Sequence, residues 1–162
     1  MILVDCDVLS HFIKGGQIML LPTIFQNPMR VLEQVEEELR RYKSKSNTID
    51  QFFNSYPEVQ LSFPSDTRIT KEYFELYKNM GKGESACLAM ARFTKDIVAS
   101  SNIKDIQTYC QNHNIQYLTT MDFLCEAMKT GKLSEVQCDT FITDVLSAGS
   151  RLPVTQMSMY SC

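Results

Sequence analysis

Hydrophobic positions along the chain fall into two patterns, short unbroken apolar runs and stripes recurring every three or four residues, which predicts strands interleaved with helices. Ile2-Leu3-Val4 is an apolar run closed by Asp5, the pattern of a buried parallel strand with an acid at its carboxyl end. Val8, Leu9, Phe12 and Ile13 then recur at helical spacing until Gly15-Gly16 breaks the helix. Residues 18–28 are apolar but irregular and predict a loop or short helix. Arg30-Val31-Leu32 predicts a strand. After it, Val35, Leu39 and Tyr42 form a helical stripe through Glu36-Glu37-Glu38, closed by a basic tail that suits the helix macrodipole. The same reading predicts helices over 48–56 and 66–79, a strand over 59–63, a break at Gly81–Gly83 and a helix from Glu84 to Arg92. Beyond it come a strand at Ile97–Ala99, a helix from about Ser101 to Cys110, a strand over 116–119 and helices over 123–128 and 134–146, the last opened by a Ser134/Gln137 capping box. Such alternation with short connections predicts an α/β fold with a mainly parallel central sheet. With no repeat, linker or low-complexity tract, the expectation is a single domain over residues 1–150 and a C-terminal tail over 151–162.

Composition narrows the function classes. No apolar run approaches the ~20 residues that span a bilayer, and Met1-Ile2-Leu3-Val4 lacks the basic stretch of a secretory signal. The expectation is a cytoplasmic chain beginning at Met1, with no membrane association. The six cysteines are dispersed without a CxxC pair and are expected to be reduced and mostly buried. Two histidines, His11 and His113, are too few for a His-rich metal site, and both are expected to be partly exposed polar residues. Sixteen Lys and Arg against nineteen Asp and Glu leave a net charge of −3, which argues against bulk electrostatic capture of nucleic acid. A nuclease survives that argument, because metal-binding carboxylates are counted in this sum without their metals.

The informative acids are those placed where ligands of a parallel sheet collect, outside the carboxyl ends of the strands. Asp5 stands at such an end, as a ligand or as the cap of the following helix, a task for which Asp7 is equally placed. Glu84 precedes Cys87, Leu88 and Ala91 by three, four and seven positions, so it shares the apolar face of its helix with no basic partner there. Glu38 lies between Val35 and Tyr42 at the edge of a buried stripe, whereas Glu36 and Glu37 read as solvated. After the strand at 97–99, Asn102 and Asp105 read equally as a capping box or as site residues.

These segments resemble a known family. Ile2-Leu3-Val4-Asp5-Cys6-Asp7-Val8-Leu9 resembles the opening strand and acid of PIN domains, and Val35-Glu36-Glu37-Glu38-Leu39 their second motif. Gly81-Lys82-Gly83-Glu84-Ser85-Ala86 and the alanine-rich residues after it are similar to the glycine-flanked Glu of the family, and residues 118–133 to its late Thr, Leu, Ala and Gly-Leu pattern. The likeness covers about the first 150 residues, with the motifs in order. It implies a three-layer α/β/α fold and a Mg²⁺- or Mn²⁺-dependent endoribonuclease of the kind found as toxins in bacterial toxin–antitoxin pairs. RNA is then the substrate, and an antitoxin and a second copy of the chain are expected partners.

Carried over by position, Asp5, Glu38 and Glu84 hold the metal. Where many relatives carry an acid directly after the fourth-motif strand this chain has Asn102, so Asp105, one turn later, is taken as the fourth catalytic acid. Asn102, Asp7 and Asp122 are auxiliary candidates. Arg40, Arg41, Lys43 and Lys45 are candidates for RNA phosphate contacts, or simply a solvated helix end. Two other functions stay open. The Asn102 departure fits a degenerate, non-catalytic PIN-like module that binds RNA or protein. Asp5-Cys6-Asp7 also resembles the paired aspartates of haloacid-dehalogenase-type phosphatases, with Asp139 and Asp144 as late acids, a reading that leaves Glu38 and Glu84 without a role.

Overall fold

In the computed structural model, which describes all 162 residues, five short strands form one all-parallel sheet: β1 (Ile2–Val4), β2 (Met29–Leu32), β3 (Gln60–Leu61), β4 (Ile97–Ala99) and β5 (Tyr117–Leu118). Their order is β3-β2-β1-β4-β5. The apolar run of β1 is sealed on both faces because it is the central strand, paired with β2 on one side and β4 on the other. The chain winds outward through β2 and β3 and then crosses back to lay β4 on the opposite side of β1. The connections from β1 and β4 therefore leave in opposite directions and open a crevice at their carboxyl ends. Asp5 leaves β1 there, its N–H donating to the Ala99 carbonyl at 2.9 Å, and Ser100 to Asn102 leave β4 beside it.

Helices cover both faces, giving the three-layer α/β/α arrangement. They are α1 (Cys6–Lys14), α2 (Leu21–Ile24), α3 (Glu33–Leu39), α4 (Ser46–Ser55), α5 (Thr67–Leu76), α6 (Lys82–Thr94), α7 (Ile103–His113), α8 (Thr120–Lys129) and α9 (Glu135–Ser147). Helix α6 is buried without interruption from Gly83 to Ala91 and packs against α3, α5 and α7. Its small residues Gly83, Ser85, Ala86, Ala89 and Ala91 permit that close approach, and its first turn carries Glu84 into the crevice. On the other side Phe12 of α1 packs edge-on to Phe123 and tilted against Phe141, and a Cβ on Gly15 would run into the Phe141 ring. The expected break at Gly15 is thus also the point where α9 meets α1.

Several expectations are corrected. Helix α3 stops at Leu39, and Tyr42 lies beyond it, exposed, with Lys43–Lys45 in a separate 3₁₀ turn. Residues 40–45 offer nothing to bury except one ring, and Arg40 pairs with both Glu36 and Asp50, which draws the chain over into α4. Helix α6 opens at Lys82, two residues early, and α8 at Thr120, where Thr119 and Asp122 form a capping box of their own. The cysteines are not all reduced: Cys125 and Cys162 form a disulfide that ties the end of the chain to α8. Cys6, Cys87, Cys110 and Cys138 are free. Met157, just before that end, is buried, and its N–H donates to Asp139 at 2.7 Å. His11 is buried rather than exposed, because it shares the packed face of α1 and bonds through Nδ1 to the Thr120 hydroxyl at 2.8 Å. No helix is long and apolar enough to cross a membrane.

Candidate active site

Three carboxylates reach the crevice from three elements. Asp5 occupies the N-cap position of α1 with extended backbone, yet its side chain makes no capping bond. Its Oδ1 is buried with no hydrogen-bond partner. A buried carboxylate oxygen with no donor is costly, so capping does not explain this residue. Glu38 comes from the last turn of α3, its Oε1 accepting the Lys82 N–H at 3.0 Å. Its neighbour Glu37 points outward and pairs with the Lys82 ammonium. Gly83 brings the two acids together: a Cβ there would lie 2.9 Å from Glu38 Oε2, 2.9 Å from Val35 Cγ2 and 3.0 Å from Asp5 Oδ1. The residue between the flanking acids is glycine because two carboxylates already occupy the space a side chain would take.

Glu84 follows on the same helix turn and is only 6% exposed. The Asn102 amide donates to Glu84 Oε1 at 3.3 Å and to Asp105 Oδ2 at 2.6 Å, so Asn102 bridges two acids instead of forming the capping box considered for it. Asp7 lines the crevice, but its oxygens are engaged: Oδ1 accepts the Val8 N–H at 2.6 Å, and Oδ2 the Ser101 N–H at 2.7 Å and the Ser100 hydroxyl at 3.3 Å. It clamps the turn after β4 against α1. Asp122 is spent on the Thr119 capping box and lines a separate cavity beside Cys125, away from the acids.

The crevice is a cleft of about 560 Å³ whose walls carry Asp5, Asp7, Glu38, Glu84, Asn102 and Asp105. Burial, then the neighbouring Asp7, Glu84 and Glu38, push the Asp5 carboxyl well above the usual carboxylate range. Burial, then the charges of Asp105 and Asp7, raise Glu84 to about 7 against the opposing Asn102 hydrogen bond. His11, at the cleft wall, is held neutral by burial, its pKa lowered to about 4. The acids thus crowd one side of the cleft, and none of Asp5, Glu38 and Glu84 is ion-paired, without closing into a ready-made group of three metal ligands.

Of the basic candidates, Arg41 lines the cleft and makes no ion pair, whereas Arg40 is spent on Glu36 and Asp50. Lys45 borders an adjoining cavity, and Lys43 lines neither. Lys14, whose ammonium donates to the Ser150 hydroxyl at 2.6 Å, completes the cleft wall and was missed. Its signal was present in the spacing, since Asp7, Ser10 and Lys14 recur at helical intervals along α1.

A family model described as a PIN domain matches residues 1–159. No curated protein and no solved structure matches the chain. PIN domains are commonly nucleases and generally depend on divalent metal ions. The match extends over nearly the whole length and agrees with the parallel sheet and with the acids at its switch point: the chain belongs to the PIN-domain family.

Proposed function

We propose that the chain is a Mg²⁺- or Mn²⁺-dependent endoribonuclease whose centre is built on Asp5, Glu38 and Glu84, with Asn102 and Asp105 completing it. The observation that carries this reading is the unpartnered Asp5 Oδ1, facing Glu38 Oε2 across the space left by Gly83. The donor set fits: hard carboxylate oxygens suit these ions, and Mg²⁺ keeps several waters, so an open arrangement of acids is compatible with it. A divalent ion bound here would offset the crowded charge of Asp5, Glu38 and Glu84 and would supply a water activated for attack on phosphorus.

The chain's own groups set the geometry. The Lys82 N–H holds Glu38, Asn102 orients Glu84 and Asp105 toward each other, and Asp7 fixes the turn that presents Asn102. Arg41 and Lys14, on the cleft wall, receive phosphates on either side of the cleaved bond. In its finer form the proposal makes the chain the toxin of a toxin–antitoxin pair, for which a short reading frame directly upstream encoding a partner protein is expected.

The phosphatase reading is set aside, because both oxygens of Asp7, its required acid, hold backbone and hydroxyl donors, and Asp139 holds Met157. The non-catalytic reading keeps one observation in its favour, the amide of Asn102 in place of an acid. Cleavage of a labelled RNA with Mn²⁺ separates the two. Glu37→Gln is expected to cut within a few-fold of wild type, because Glu37 only meets Lys82 at the surface. Glu38→Gln should lose cleavage; the reverse ranking would place the second ligand on the wrong residue, and no cleavage by wild type would favour the binding module.

A further inference from the structure

Beside the acid cleft lies a second cavity of about 240 Å³ that shares Ser10, Lys14 and Tyr42 with it. We propose that this cavity binds a nucleotide flanking the cleaved bond of single-stranded RNA, its base stacked on Tyr42 and its phosphates met by Lys14, Arg41 and Lys45. The inference rests on the nuclease reading of the neighbouring cleft and adds to it a base-stacking subsite at Tyr42.

Tyr42 is 48% exposed and stands where the chain has left α3. The ring makes no side-chain hydrogen bond and meets no other aromatic group, whereas the exposed rings of Tyr77 and Phe74 both pack on Tyr73. A large ring left half in solvent, without a hydrogen bond or an aromatic partner and placed at the border of two cavities, is a stacking platform. The cations around it are uncommitted. Arg41 and Lys45 have no carboxylate partner, and Lys14 bonds only to a hydroxyl. Nearby Arg40 and Lys82 are, by contrast, neutralised by acids. Ile13 and Leu39 give the cavity an apolar wall beneath this charged rim. An apolar pocket, a free ring and unpaired cations next to a phosphodiester-cutting centre match a nucleotide whose base is free to leave its stack, which a duplex does not offer.

The test measures binding of a fluorescein-labelled single-stranded oligouridylate to the full chain carrying Glu84→Gln, with Mn²⁺ present, by fluorescence anisotropy. Tyr42→Ala added to that chain should weaken binding about tenfold, as loss of one base stack does. Tyr42→Phe should retain it, and both variants should keep a cooperative melting transition well above the assay temperature, so that weaker binding is not loss of the fold. One abasic nucleotide at the matching position should reproduce the loss and not add to it. Lys45→Ala should flatten the salt dependence, by about 0.7 in the log–log slope. Tyr42→Ala binding as tightly as its parent overturns the subsite, as does equal Tyr42 dependence with a duplexed probe or no binding at all. Cleavage by wild type is scored separately: Tyr42-dependent binding without cleavage keeps the subsite and removes the nuclease, and the opposite combination removes only the subsite.

Discussion

Glu84→Gln should lower Mn²⁺-dependent RNA cleavage by at least about 100-fold and, in the same preparation freed of metal, raise the melting temperature at pH 8. Residues that merely orient metal ligands cost about 10- to 100-fold when replaced, so loss of a ligand belongs at or beyond the upper end. The stability gain follows from the raised pKa. Glu84 ionises near 7 in the folded chain against an ordinary 4.5. Below pH 4.5 the carboxyl is protonated in both states and contributes no difference. Between 4.5 and 7 the unfolded chain releases the proton first, so wild type loses stability as pH rises through that window, and above 7 the loss is complete. The whole difference is on the order of 3 kcal/mol. Glutamine carries no such penalty, so the gap between variant and wild type in EDTA should be small near pH 4 and several degrees at pH 8. A variant that melts below wild type at pH 8 would mean that the Asn102 hydrogen bond to Glu84 outweighs the repulsion.

Gly83→Ala should be nearly as damaging, against the expectation from helix propensity. Alanine favours a helix interior over glycine by about 1 kcal/mol. At this position, however, the added methyl lies 2.9 Å from Glu38 Oε2 and Val35 Cγ2 and 3.0 Å from Asp5 Oδ1, so it must push two acids and a core side chain apart. Overpacking of this kind costs about 1–3 kcal/mol. Cleavage is expected to fall to the level of the acid variants, with stability unchanged or lower. Full activity in Gly83→Ala would show that the Asp5–Glu38 approach is not the functional geometry.

The parts of this fold legible in the sequence are those whose signal is local. Ile2-Leu3-Val4-Asp5 and the stripe ended by Gly15 define β1 and α1, because an apolar run and a glycine break are complete within a few residues. The capping box of Ser134 and Gln137 forms as expected for the same reason. The inward face of Glu84 also follows from helical spacing alone.

What failed depends on distant partners. The sequence places Glu38 on a stripe ending at Tyr42, yet Tyr42 is exposed, and what holds Glu38 is a backbone N–H 44 residues away and the gap at Gly83. Asn102 and Asp105 have the spacing of a cap, but the Asn102 amide bonds the carboxylates of Asp105 and of Glu84 from another helix, and its side chain makes no capping bond. The burial of His11 requires Thr120, and the Cys125–Cys162 disulfide requires the end of the chain to return to α8; neither leaves a trace in spacing.

The central claim, that the acids at the switch point between β1 and β4 form a metal centre, is tested most directly by calorimetric titration of Mn²⁺ into the full chain and into Asp5→Asn. If the proposed centre is correct, a saturable heat is expected for wild type below millimolar metal and its loss in Asp5→Asn, whose remaining oxygen and amide no longer match the unpartnered Oδ1. No heat from wild type at millimolar Mn²⁺, or equal heats from both chains, would contradict it.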